Sequence, residues 1–283
     1  MDADWPETDF PNDVIAEHKA WCKTQKRKRC HAKFKHLLRN NKNAAIHEAI
    51  VRRYFQQARF KVEANELDDD SAQAPDFRCT KGDSTFYVEC MFVETDSVAD
   101  KSGIPQDHTG FTPFRLITKR LAQVSENKLE QCSNLSAPVL VAAGVFHSHS
   151  FVLLKRVTIE QLLWPRLASE KPSEDDEFFE APFFTKTGSV KCQEISGILF
   201  VRSSCENPIM HGILHPQPKH PFDPSLLPMV NFGTIGEDGT NPRWTINEAE
   251  AEAKADAEVD EELYRSLMER HDLTDDDIEE DEV

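Results

Sequence analysis

The segment APVLVAAGVF, residues 137–146, carries no charged or hydrogen-bonding side chain along its whole length. It is too short to cross a membrane. A segment with no polar face has no side to turn to water, so it reads as a strand covered on both faces. EISGILFVRS, residues 194–203, reads as a second buried strand. NAAIHEAIVRRYFQQARF, residues 43–60, is a strong helix former with Asn43 as its expected cap. FKVEANEL, residues 60–67, reads as a strand, and QAPDFRCTKGDSTFYVECMF, residues 73–92, as a hairpin turning at Lys81-Gly82-Asp83. A short helix is expected over 14–25, a long one over 112–135 and another over 158–167. Residues 174–184 read as irregular, and residues 207–228, punctuated by prolines, as loop. From residue 43 the order is helix, three strands, helix, strand, helix, strand. That order predicts an α/β fold with a mixed central sheet flanked by helices.

The net charge of −17 is unevenly spread. From Ile246 to Val283 there are 17 acids and 3 bases, a net of −14, which leaves −3 for the rest of the chain. Residues 23–42 hold nine Lys or Arg and no acid. The overall acidity therefore does not exclude nucleic acid as a partner. Lys26, Arg27, Lys28, Arg29, Lys33 and Lys35 are the expected phosphate contacts. The alternative is an ordinary solvated helix face. Three regions follow: a basic helical arm over 1–42, an α/β domain over 43–240, and an acidic tail over 241–283, solvated or partly helical. The tail keeps the chain soluble, shields the basic block, or docks a basic protein partner. The seven cysteines are scattered with no CxxC pair, and the N-terminus lacks the pattern of a signal peptide. A reducing cytoplasm is the expected compartment.

Two acids stand out because they lie in strands that look buried. Asp76 opens the first arm of the hairpin and Glu89 closes the second. Carboxylates at the ends of adjacent strands converge on one point, which suits a hard divalent cation that takes one or two carboxylates plus water and phosphate. Without a cation, one of two close acids in apolar surroundings has to take a proton. In the first helix, Ala44, Glu48, Val51 and Phe55 share a face. In the second, Ile117, Leu121, Val124, Lys128 and Gln131 follow one stripe, so Glu48 and Lys128 both turn toward the sheet. Each residue also has a plainer reading. Asp76 suits a turn, Glu89 the solvent side of an edge strand, Glu48 an i,i+4 pair with Arg52, and Lys128 an amine extended to water.

APDF followed by YVECMF, after a helix bearing Glu48, resembles the PD-(D/E)xK nuclease superfamily, with its restriction-endonuclease-like core, over residues 43–145. The resemblance implies that Asp76 and Glu89 hold Mg²⁺, with Mn²⁺ able to substitute, and that the Cys90 carbonyl adds a ligand. It implies that Glu48 orients a second water or ion. The implied activity is endonucleolytic hydrolysis of phosphodiester bonds, with DNA as the expected substrate, a homodimer as one expected assembly, and defence or DNA repair as the setting. The chain departs from the motif at Met91, where a lysine belongs. Lys128, supported by Gln131, resembles the form in which that lysine comes from the following helix. A catalytically inactive nucleic-acid-binding or assembly module is the alternative, and Met91 is the residue that favours it.

Overall fold

The computed structural model describes residues 10–25, 29–65, 74–93, 135–145, 187–201, 210–235 and 242–245. Shorter described pieces lie between them, at 128–129, 132–133, 159, 162–163, 166–167, 178–179, 181–185 and 208. Lys26, Arg27, Lys28, Gln131, most of the expected 112–135 helix and the acidic tail fall outside the described residues. The chain divides after Thr245.

Three helices come first: α1 (Phe10–Thr24), α2 (Arg29–Asn40) and α3 (Lys42–Gln57). α3 is capped by Asn41, whose side chain accepts from the Ala44 N–H at 2.9 Å. The cap thus sits two residues before the expected Asn43, because α2 and α3 nearly abut and leave only Asn41 outside helical geometry. α1 and α2 do not stand apart as an arm. Val14 and Cys22 of α1 and Cys30 and Phe34 of α2 join one apolar cluster with Ile46, Ile50 and Phe55 of α3. Cys30 and Phe34 lie one turn apart and give α2 an apolar stripe beneath its basic face. Burying Phe34 alone contributes about 1.5–3 kcal/mol, so the basic block is fastened to the fold. The boundary expected after residue 42 falls inside a single core.

The main sheet begins with β1 (Lys61–Ala64), β2 (Phe77–Lys81) and β3 (Ser84–Val93), an antiparallel set. Gly82, at φ +58°, makes the tight turn between β2 and β3 in a conformation that favours glycine. β4 (Val139–Val145) lies parallel to β3, and β7 (Gly197–Val201) parallel to β4. β5 (Arg166–Leu167) and β6 (Phe178–Phe179) form a separate two-stranded sheet. β8 (Met210–Leu214), β9 (Asn231–Ile235) and β10 (Pro242–Trp244) complete an eight-stranded mixed sheet, ordered β1-β2-β3-β4-β7-β8-β9-β10. With its helices it is an α/β structure.

β4 is buried on both faces, as its composition requires. Leu140 and Ala142 pack into the cluster under α1–α3, whereas Val139, Val141 and Ala143 pack into a second cluster with Ile159 and Leu162. The sequence misleads in two places. Residues 207–228 read as loop, yet MHGIL within them is β8, paired on both sides. Its flanking prolines, Pro208 and Pro216, lie outside the ladder and mark only its ends. Residues 166–167 and 178–179, expected as helix end and irregular chain, pair with each other. Among the described residues no helix is long and apolar enough to cross a membrane.

Candidate functional site

The β2–β3 register fixes the two acids relative to each other. Phe77 pairs with Val88, so Asp76, one step before Phe77, lies beside the Glu89–Cys90 end of β3. Asp76 Oδ2 accepts the Cys90 N–H at 2.9 Å, which carries the contact between the strands one residue beyond their ladder. Tyr87 donates its N–H to Pro138, on the β4 side. Backbone groups alternate along a strand, so the Cys90 N–H and C=O both point to the opposite edge, where β2 has ended. The Cys90 carbonyl therefore opens on the Asp76 side.

Lys128 Nζ lies 2.6 Å from Glu89 Oε1. Glu89 Oε2 is buried and has no hydrogen-bond partner among the described residues. Met91, two residues on and on the same face of β3, packs against the second apolar cluster instead of reaching the acids. On the other flank, Lys33 Nζ of α2 donates to Asp76 Oδ1 at 2.9 Å. Glu48 of α3 approaches the buried His18 of α1, Oε1 to Nε2, at 3.5 Å. Arg52 pairs with Glu17 at 3.6 Å and bonds Gln56, so Glu48 is not its i,i+4 partner.

Exposure rises from the floor of the site to its rim. The Glu89 side chain is 2% exposed, Asp76 and Glu48 12%, Lys128 21% and Lys33 61%. Lys33 is the member most open to solvent. Burial pushes Glu48 up to about 8, with the Asp76 charge adding to it and Lys33 opposing. Glu89 rises to about 8 for the same two reasons, against the pull of Lys128 and Lys33. Lys128 is raised: burial works against its charged form, but Glu89 outweighs it. The Glu89–Lys128 contact favours the charged form of the amine, and the cost of burial falls on Glu89. Lys33 is raised chiefly by Asp76. Burial lifts the Cys90 thiol, and the Asp76, Glu48 and Glu89 charges add to the effect.

No family model, no curated protein and no solved structure matches the chain.

Direct contacts join Asp76 to Cys90 and Lys33 and join Glu89 to Lys128, whereas Glu48 pairs with His18 and is linked to the others through the Asp76 and Lys33 charges. Arg29 and Lys35 of the basic block lie exposed on α2, and Lys33 enters the site. Sequence reasoning placed Lys33 on a nucleic-acid surface and passed over His18. The signal for Lys33 was the Cys30–Phe34 stripe, which buries one side of α2 and sets Lys33 at its flank. Cys22 and Cys30, scattered in sequence, also meet: Cys30 Sγ donates to Cys22 Sγ at 2.9 Å.

Among the described residues no three His, Cys, Asp or Glu side chains form a ready metal cage. A hard cation such as Mg²⁺ needs only one or two protein carboxylates. The orphaned Glu89 Oε2, the two lysine amines already drawn to the acids, and the upward shifts of Glu48 and Glu89 describe a cluster with unmet demand for positive charge. These residues fit such a cation.

Proposed function

We propose that the chain is a metal-dependent nuclease with a restriction-endonuclease-like core, hydrolysing phosphodiester bonds in nucleic acid, with DNA as its substrate. The observation that carries this reading is the Lys128 amine on Glu89, with Asp76 one step beyond the last β2–β3 pair. The sequence departs from the motif at Met91, and Lys128 supplies an amine where one is missing. The order of α3, β1, β2, β3 and the parallel β4 supports the same reading.

Asp76, Glu89 and the Cys90 carbonyl are the groups that would hold Mg²⁺ or Mn²⁺. A bound Mg²⁺ supplies charge stabilisation at the phosphate and lowers the pKa of a bound water. The charged Lys128 amine orients the attacking water or neutralises the phosphate. Glu48, on α3 beside Asp76's charge, would orient a second water or ion. Nicking of supercoiled plasmid with Mg²⁺ or Mn²⁺ tests the proposal. Wild type is expected to cut, Asp76→Ala and Glu89→Ala to be inactive, and Lys128→Ala to lose about 10²–10³-fold, the usual cost of removing a preorganised charge donor. An Asp76→Ala protein that cuts as well as wild type overturns it.

Met91, packed among apolar side chains, favours a second reading: the same fold used as a non-catalytic module that binds nucleic acid. Such a module lacks divalent-cation binding, which calorimetry on the metal-free protein measures directly.

A further inference from the structure

Lys33 is the most exposed member of the cluster, at 61% of its side chain, yet its amine rests on Asp76 Oδ1 at 2.9 Å. The backbone beneath it is fixed by Cys30 and Phe34, which are 7% and 1% exposed. The ion pair therefore does not hold α2 in place. The pair joins an exposed amine to a carboxylate only 12% exposed, so the amine can swing to solvent while the acid stays in place for another cation.

The oxygens of Asp76 have different duties. Oδ2 is committed to the Cys90 N–H, and Oδ1 is the atom on which Lys33 sits. A divalent cation that draws on Asp76 meets the Lys33 charge at that atom and repels it. Once displaced, Lys33 lies on the same face of α2 as Arg29, one turn earlier, at the open rim of the site.

We propose that Lys33 couples the two ligands of this site: it neutralises Asp76 while no cation is bound and turns to a nucleic-acid phosphate when one arrives, so that metal and nucleic acid bind with positive cooperativity. The inference rests on the metal-dependent reading above. Either ligand bound first relieves the second of displacing Lys33 from Asp76, and by linkage each strengthens the other by the same factor. The factor lies in the usual range for such coupling, on the order of tenfold.

The test uses the full chain and measures binding, not turnover. Calorimetry gives Mn²⁺ affinity for wild type, Lys33→Gln, Lys33→Arg and Lys61→Gln. The last is a charge-matched control, because Lys61 is exposed and paired with Glu63 at 2.8 Å. Fluorescence anisotropy then gives the affinity for a short DNA duplex without divalent cation and with Ca²⁺, another oxygen-liganding dication, the duplex being checked for integrity afterwards. Lys33→Gln is expected to bind Mn²⁺ more tightly than wild type by on the order of tenfold. It is also expected to lose the gain in DNA affinity that Ca²⁺ gives wild type. Lys33→Arg should keep both wild-type behaviours, and Lys61→Gln should change neither. Thermal midpoints confirm that the variants fold. If Lys33→Gln binds Mn²⁺ no more tightly than wild type, or keeps the full Ca²⁺ gain, the coupling role is wrong while the metal-dependent reading stands. If wild type binds no divalent cation, that reading fails and the coupling with it.

Discussion

Glu89 is an expensive side chain to place: a carboxyl 2% exposed, with one oxygen on Lys128 and the other without a partner among the described residues. Its cost shows in pH dependence. Glu48 and Glu89 are both raised to about 8 in the fold, from an ordinary carboxylate value. Between those limits the folded state holds more protons than the unfolded chain, so their contribution makes stability fall as pH rises toward 8. Other groups oppose this trend. Burial lowers His47 to about 4 and also lowers His18. The Cys22 thiol is lowered to about 6, chiefly by its hydrogen bond from Cys30. These depressed groups make stability rise with pH. The informative quantity is therefore the difference between wild type and Glu89→Gln. In metal-free buffer, the thermal midpoint of wild type relative to the variant should fall steadily from pH 6.5 to pH 8. A constant difference across that range would show that Glu89 is not raised. At this scale the sequence was informative where local context decides placement: the apolar neighbours of Glu89 set it in a buried strand although alternation left its side open, and helical phase aimed Glu48 and Lys128 at the sheet. It was silent on Lys33 and His18, whose neighbours come from packing between helices.

The helix that carries Glu48, seated on the sheet through the first apolar cluster, also makes a very close approach to β4. His47, directly before Glu48, donates from Nε2 to the Ala142 carbonyl at 3.0 Å, and its ring lies over Gly144 of β4. A Cβ at Gly144 would meet three ring atoms of His47 under 3.0 Å. Gly144→Ala should therefore lift α3 from β4 and cost about 1–3 kcal/mol, the usual penalty for overpacking. Because the clash has one partner, His47→Ala should recover part of that loss in the double variant. Denaturant unfolding of the four proteins measures the coupling, and strictly additive losses would refute the contact. The plasmid-nicking rate of Gly144→Ala should fall as well, since Glu48 moves with the helix. Elements with an unbroken pattern, such as α3 and β4, were legible in the sequence because they satisfy themselves locally or are apolar throughout. β8 was not, because MHGIL is a strand only between β7 and β9, and its flanking prolines suggest loop to any local reading.

At the scale of the whole chain, charge is divided in a way that its sum conceals. Residues 1–245 carry −3 and residues 246–283 carry −14. Part of the basic block, expected as a separate arm, belongs to the core through α2, which holds Lys33 on Asp76. Long-range repulsion of a polyanion then falls chiefly to the acidic segment. Removing residues 246–283 takes the net charge from −17 to −3 and deletes no described residue. The truncated protein should keep its thermal midpoint, because the buried clusters lie wholly before residue 246. It should also bind duplex DNA more tightly at low salt, with the advantage shrinking as ionic strength shortens the Debye length from about 30 Å at 0.01 M to about 8 Å at 0.15 M. Anisotropy titrations of both proteins across that range separate the outcomes. A gain that fades with salt assigns the acidic segment a screening role. A loss of DNA binding on truncation would show that the segment contributes to the nucleic-acid surface, against the charge argument.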